Sequence, residues 1–389
     1  MTKTEIIIVG AGPAGLSQAL ILADAGLHVV LIDRMAVKPG RADNRTAALL
    51  RPAVDILRGV DVDPEKFPDP APLRHVRLID EGAGNDGGVH FSSTEIHHPY
   101  FALNIRNGDV HAALVKRVLS HPLIKVSAPC EIQSIDVSPY HVQMKTNTGG
   151  YQSMVVIGAD GRESVVRHLA GITFHKIDYQ QSAITCAITH TGAHHDTSIE
   201  FHRPGGPFTL VPLSGHRSSV VWMERSVDAE QILALSPIDF TARLQSETGN
   251  LLGDITVIDP PQCWPVIWQR ADRMIAPRMA LVAEAAHVLP PSGAQGLNMS
   301  LQDVQGLGSV FIRAHRLGLD IGSKAVLESF ARLRMQDMHI KSNAVHGLNT
   351  IVMTAHPALR RLRRVGLMTA SRVPFIRHMV MQFGWAGKL

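Results

Sequence analysis

The chain has 389 residues, 45% of them apolar and 19% charged, a balance that fits a packed protein of two domains or one large domain with an insertion. A net charge of +4 is too weak to indicate a nucleic-acid partner, and the three cysteines, Cys130, Cys186 and Cys263, lack the C-x-x-C spacing of a metal or disulfide framework. No H-E-x-x-H spacing occurs among the 21 histidines, so no metal site is expected, and no apolar run is long enough to span a bilayer. The sequence enters an apolar strand within five residues, which leaves no room for a signal peptide. The expected location is the cytoplasm or the inner face of its membrane.

The first element is an apolar strand, Ile6–Val9, which stops at Gly10. Glycines at 10, 12 and 15 follow in G-x-G-x-x-G spacing, with Pro13 and Ala14 between them, and lead into an amphipathic helix that ends at Gly26. A second apolar run then closes on Asp33 and Arg34. In such a unit the first glycine permits the turn, the second lets backbone approach a pyrophosphate, and the third lets the helix pack close to the strand. The helix N-terminus directs N–H groups at the anion, and Asp33 is placed to accept hydrogen bonds from a ribose. The motif alone does not choose between NAD and FAD.

Thr46–Leu57 reads as a helix kinked near Pro52, and 61–72 as a loop rich in proline and acid. Short strands alternate with turns over 76–101, including the glycine-rich stretch 81–88. Asn107–Leu119 is an amphipathic helix with Asn107 as a plausible N-cap. Strands follow at 124–126, 132–137 and 141–146. A buried run, Met154–Ile157, ends in Gly158-Ala159-Asp160-Gly161, with Ser164 and Arg167 beyond it. Asp160 reads equally well as a group approaching a ribose or phosphate and as a cap of the next helix.

Strands recur at 182–190, 198–201, 208–212 and 218–224, with a helix near 237–248. This is the pattern of an antiparallel sheet built together with 72–102, a substrate domain in which Phe208, Pro212 and Trp222 are candidate substrate contacts. A core strand at 279–282 runs into Ala283-Glu284-Ala285-Ala286-His287-Val288-Leu289-Pro290-Pro291, then Gly293-Ala294-Gln295-Gly296-Leu297-Asn298 and a long helix. Two prolines force an extended segment, and the glycines offer bare backbone N–H groups to an electron-rich ring or anion. Helical pattern continues over 324–354. The tail, 356–389, carries Arg360, Arg361, Arg363, Arg364, Arg372, Arg377 and Lys388 interleaved with apolar residues and has no acid, the composition of a basic amphipathic helix that can meet an anionic membrane or a partner protein.

The N-terminal fingerprint, D-G-x-x-S-x-x-R from Asp160 to Arg167 and the late A-A-H-x-x-P-P segment together resemble the aromatic-ring flavoprotein monooxygenases, and more narrowly the ubiquinone-biosynthesis hydroxylases. The likeness runs over nearly the whole chain and keeps the family's order. It implies an α/β fold: a Rossmann-like FAD-binding domain (1–71, 103–172, 271–355), an inserted antiparallel-sheet substrate domain (72–102, 173–270) and the helical tail. It implies FAD along Gly10, Gly12, Pro13, Ala14, Gly15, Asp33, Arg34, Arg45, Asn107, Asp160, Gly161, Glu284, Gly293, Gln295, Gly296, Leu297 and Asn298. Pro290, Pro291 and Gly293 would wall the peroxide pocket. NAD(P)H would serve as a transient reductant, O2 as the oxidant and a polyprenylated phenol as the substrate, with other quinone-biosynthesis proteins as possible partners. Where the family has G-D-A-A-H, this chain has A-E-A-A-H, so Glu284 brings one more methylene to the ribityl position. Phe330, Arg334 and Asp337 resemble the family's later helix segment. A soluble aromatic substrate and a flavin-binding scaffold are the competing readings.

Overall fold

The computed structural model describes residues 1–40, 43, 45–80, 88–203, 205–353, 366, 369 and 373–384. Its helices are α1 (Pro13–Asp24), α2 (Arg51–Arg58), α3 (Asn107–Leu119), α4 (Val165–Leu169), α5 (Ser226–Leu233), α6 (Pro237–Glu247), α7 (Gln295–Arg316), α8 (Lys324–Met353) and α9 (Pro374–Gly384).

The fingerprint strand Ile6–Val9 lies inside a six-stranded sheet. It pairs in parallel with Val29–Ile32 on one side and Val155–Gly158 on the other, and Met279–Leu281 extends the sheet beyond the latter. All four residues of each of these first three strands are buried. That explains their unbroken apolar composition: a parallel strand covered on both faces shows no alternation. Three of the sequence motifs therefore leave adjacent strands at the same edge of one sheet, the place where open α/β sheets bind ligands.

Residues 132–137, 142–146 and 149–153 form a separate antiparallel meander, joined by Thr2–Lys3. The large sheet is built on the long strand Phe174–His190, flanked by Arg217–Arg225 and Gln262–Ala271. It is antiparallel apart from the parallel pairing of Thr197–His202 with His75–Asp80. A three-stranded sheet, Thr46–Leu50, Ala102–Arg106 and Ala71–Leu73, lies across both segment boundaries drawn from the sequence. His287–Val288 of the late segment adds a short strand to the large sheet.

Several local expectations need correction. Thr46–Leu50 is a strand, and the helix begins only at Arg51. Pro52 sits in its first turn, where a missing N–H costs nothing, so there is no kink. Asn107 is the first helical residue of α3 and Arg106 is its N-cap. The helix α5 and the strand Gln262–Ala271 were not expected. Of 81–88 only Gly88 is described. Of the tail's basic residues only Arg377 is, and it joins α9 to the edge of the large sheet. Its guanidinium donates to both oxygens of Glu95 (2.5 and 2.7 Å) and lies over Phe91 (4.7 Å), while Met381 is buried among Phe91, Phe101 and Leu50. Among the described residues no helix is long and apolar enough to cross a membrane.

Candidate functional site

The three fingerprint glycines have three separate reasons. Gly10 has φ +105°, and a Cβ there would stand 2.3 Å from the Ala159 carbonyl oxygen. A Cβ on Gly15 would stand 1.8 Å from the Gly10 carbonyl oxygen, so Gly15 is required by helix-to-strand packing. Among the described residues, a Cβ on Gly12 would meet nothing beyond its chain neighbours within 4 Å. Gly12 therefore faces space that the protein leaves open, at the N-terminus of α1, where no side chain caps the helix. A pyrophosphate needs both features.

Asp33 is half-buried. Its Oδ2 accepts from the Ala11 N–H (2.6 Å) and its Oδ1 from the Met35 N–H (2.7 Å), which fixes the carboxylate and leaves each oxygen a lone pair. His111 Nε2 lies 3.2 Å from the Ala11 carbonyl and pins the same loop from α3. Arg34 is exposed.

Asp160 is committed to its own loop. It accepts from Ser164 Oγ (2.5 Å) and the Val166 N–H (3.1 Å), while Ser164 is the N-cap of α4. Burial raises its pKa, and these hydrogen bonds pull in the opposite direction. The capping role thus accounts for both carboxylate oxygens. Gly161, at φ +83°, has no neighbour within 4 Å of a Cβ. Arg167, 3% exposed, donates to the carbonyls of Ala285 (2.9 Å) and Arg162 (2.7 Å) and so ties this loop to the late one.

Two alanines in the left-handed region bracket the late segment, Ala283 at φ +57° and Ala294 at φ +55°, with Gly293 at φ +66°. Non-glycine residues held there cost about 1–3 kcal/mol each and persist only where surroundings over-determine them. Those surroundings centre on Asp303 of α7, which is fully buried. It accepts from the Ala283 N–H (3.2 Å) and Arg334 Nε (3.0 Å) and lies 2.5 Å from His287 Nε2. The chain of charges continues from Arg334 to Asp337 (2.8 Å) and on to Lys341 (3.0 Å). Burial pushes the Asp303 carboxyl up, but the His287 and Arg334 charges and hydrogen bonds outweigh it and hold the pKa below its ordinary value. Sequence reasoning missed Asp303, although its partners His287 and Arg334 had been singled out.

Asn298 is a bracket. Its Oδ1 accepts from the Leu50 N–H, and its Nδ2 donates to Ala48 (both 2.8 Å) and Ala294 (2.6 Å). Its amide therefore holds the late loop against Thr46–Leu50. Pro290 is buried and Pro291 exposed. Cβ atoms at Gly293 and Gly296 would meet nothing within 4 Å, so the start of α7, like that of α1, faces open space and lacks a side-chain cap.

Arg45, Asn107 and Glu284 are neighbours: Asn107 Nδ2 lies 3.5 Å from Asp43, the partner of Arg45, and the Glu284 charge acts on Arg45. Arg45 donates to Asp43 (2.8 and 2.7 Å) and stacks on Trp264 at 4.1 Å. The Asp43 hydrogen bond is the largest cause raising its pKa, and Glu284 adds to the field. Glu284 is exposed and 4.0 Å from Arg162 Nε. The Asn107 Oδ1 is buried and has no hydrogen-bond partner among the described residues. A buried acceptor without a donor, two uncapped helix starts and open glycines on both sides fit a long dinucleotide with hydrogen-bonding groups along its length. FAD has that form, and Asn107 and Arg45 would lie beside its middle.

Phe208 and Trp222 do not face this space. Both are fully buried, with ring centroids 5.8 Å apart, in a core shared with Phe240 and Leu244 of α6. Pro212 is on the same strand face, two pairs further on, and offers only its carbonyl, to Asn104 Nδ2 (3.0 Å). Side chains alternate faces along a strand, so the residues one position away point the other way. Ser219 contacts Thr46 (3.1 Å), and Ala183, Met223 and Val266 cluster with Val221 and Tyr179. The three predicted contacts are thus out of phase by one residue. The face toward the cofactor loops carries Ser219, Val221 and Met223.

The model of the FAD binding domain family matches residues 3–330. The chain belongs to that family. It is 29% identical over 382 residues to the ubiquinone hydroxylase UbiL of Rhodospirillum rubrum, covering 97% of this chain and 88% of that one. It is 27% identical over 386 residues to the 3-demethoxyubiquinol 3-hydroxylase of Escherichia coli, covering 98% of each. The p-nitrophenol 4-monooxygenase PnpA from Pseudomonas putida superposes with a TM-score of 0.81 at 20% identity, covering 98% of both chains, a likeness of fold. The chain is an FAD-dependent monooxygenase, and FAD is its cofactor.

Proposed function

We propose that the protein hydroxylates the aromatic ring of a polyprenylated phenol in ubiquinone biosynthesis, with NAD(P)H as reductant and O2 as oxidant. The observation that carries this reading is the near full-length likeness to two hydroxylases named for that pathway, together with the apolar sheet face turned toward the cofactor loops. Bound FAD supplies hydride acceptance and oxygen activation.

The chain's own residues bind, orient and exclude water. Gly12, Ala14 and Gly15 present the start of α1 to the pyrophosphate, and Asp33 accepts from the adenosine ribose. Glu284 takes the ribityl hydroxyls, and its exposure lets the extra methylene be absorbed by rotation. Gly293 to Leu297 offer backbone N–H groups to the ring system, with Pro290 and Pro291 as a dry wall. Val221, the partly exposed residue of that face, holds the phenol ring by apolar contact, with the buried Met223 packed behind it. The basic tail places the protein at an anionic membrane surface or beside a partner of the same pathway, where a prenylated substrate resides. Phe375, 77% exposed, and Met379 form the outward face of α9.

Mass spectrometry of quinone intermediates in a deletion strain tests the reading. One prenylated intermediate lacking a single ring hydroxyl should accumulate, and unchanged quinone levels with no such intermediate would overturn it.

A further inference from the structure

The long strand Phe174–His190 slips its pairing with Gln262–Ala271 once, between Asp178 and Gln181. Gln180 takes φ +54° there, and its N–H donates to Asp178 Oδ1 (2.8 Å). Bulges of this kind re-aim a side chain and recur beside active sites. The side chain placed here is Tyr179, which packs on Ala183, Met223 and Val266, the face turned to the cofactor loops. Its hydroxyl oxygen lies 2.6 Å from His346 Nδ1 of α8. α8 also packs against the late loop at Ser292–Ala294, so the pair closes one side of the space between the sheet face and that loop.

Docking of α8 does not call for this bond. Trp268 Nε1 already donates to Ser342 Oγ (2.7 Å) and Arg270 Nη1 to Asn343 Oδ1 (3.1 Å), both across the same junction. A tyrosine hydroxyl on an imidazole nitrogen differs in kind, because each group can both give and take a proton. Both side chains are only partly buried, so Tyr179 can meet a ligand and His346 can meet water. Burial pushes the Tyr179 hydroxyl up to about 12, so it stays protonated and donates to His346. The charged and titratable groups around the pair are Asp178 on the same strand, Arg225 cross-strand from Gln181 and held by Asp228, Arg270 over the Trp268 ring (5.2 Å), and His339 on α8.

Resting on the ring hydroxylation proposed above, we propose that Tyr179 is a catalytic residue whose hydroxyl oxygen accepts from the substrate's ring hydroxyl, with His346 as the acceptor of the proton. The ring O–H bond breaks and its proton passes to Tyr179 Oη as the Tyr179 proton moves to His346 Nδ1. Tyr179 is neutral before and after, no electrons change hands, and His346 returns a proton from Nε2 to water. The ring is left as its phenolate, which is richer in electrons at the carbons to be hydroxylated.

The test uses the FAD-loaded enzyme, a polyprenylphenol, and the variants Tyr179→Phe and His346→Gln. Without NAD(P)H, the ultraviolet difference spectrum of the bound phenol reports its ionisation. In the parent the phenolate band should appear well below the pH at which a free phenol ionises, about 10, and in both variants its midpoint should move toward that value. With NAD(P)H at neutral pH, kcat should fall at least tenfold in both variants while flavin absorbance is unchanged. The loss should shrink as pH approaches the phenol's own ionisation, or when a ring-fluorinated, more acidic prenylphenol is supplied. A parent-like phenolate midpoint in both variants, or an equal loss at every pH and with both phenols, would make the pair a clip between α8 and the sheet and overturn the proposal. A parent enzyme whose NAD(P)H oxidation no prenylphenol stimulates would instead overturn the ring-hydroxylation reading, and this assignment with it.

Discussion

Replacing Asp303 by Asn removes one charge and almost no volume from a fully buried site. The carboxylate serves three groups: the Ala283 N–H, His287 and Arg334. An amide has one acceptor oxygen, so its NH2 must face Arg334 Nε or the Ala283 N–H, donor against donor. Arg334 keeps Asp337 as a partner, but its Nε is left buried and unpaired. Breaking a buried pair of this kind costs about 3–5 kcal/mol. With about 2.1 cal/mol/K of unfolding entropy per residue, the 389 residues give about 0.8 kcal/mol/K, so Tm should fall by about 4–6 °C. The Ala283 turn loses its anchor at the same time, so the flavin-to-protein ratio after gel filtration should fall as well. Calorimetry and flavin absorbance read the two effects. A variant with unchanged Tm and full flavin content would refute the idea that Asp303 holds the late loop.

Gly12→Ala and Gly15→Ala should fail differently. The first has room for its Cβ and should fold without FAD, whereas the second collides with backbone and should be poorly folded by circular dichroism. Trp222→Ala should cost about 3–5 kcal/mol in stability and leave KM for the aromatic substrate unchanged, while Val221→Ala should raise KM with little change in Tm; steady-state kinetics and thermal melts separate the two. Asp303 titrates below its ordinary value in the fold, so its contribution is fully present above about pH 4 and is lost as pH falls through its folded pKa. Acid unfolding followed by fluorescence should therefore begin at higher pH in Asp303→Asn than in variants of exposed acids.

The cofactor end of the site was legible because its physics is local. Glycine spacing, a strand before it and a helix after it lie within Ile6–Asp33; Gly15 is pressed by the unit's own Gly10, Gly10 by Ala159 of the neighbouring strand's end, and Gly12 faces open space. The face of the large sheet was not legible. Phe208–Leu213 and Arg217–Arg225 carry apolar residues on both sides, since one side packs on α6 and the other turns to the cofactor loops, so alternation gave no sign of which was which. The same ambiguity made Thr46–Leu50 read as helix. Asp303 was hidden for a different reason. Its partners lie 16 and 31 residues away, His287 on the short strand before α7 and Arg334 on α8, and only the packing of both against α7 brings them to it. Asn298 looked like a cofactor ligand because it ends a cofactor motif, yet its amide is spent on backbone some 250 residues distant.

The central claim is ring hydroxylation by bound FAD. Purified, FAD-loaded enzyme should be given NAD(P)H, a polyprenylphenol and isotopically heavy O2, and the product examined by mass spectrometry. One heavy oxygen atom on the ring for each product molecule, with NAD(P)H consumption stimulated by the phenol, is the predicted result. Phenol recovered unmodified from an enzyme whose flavin is bound and reduced by NAD(P)H would contradict it.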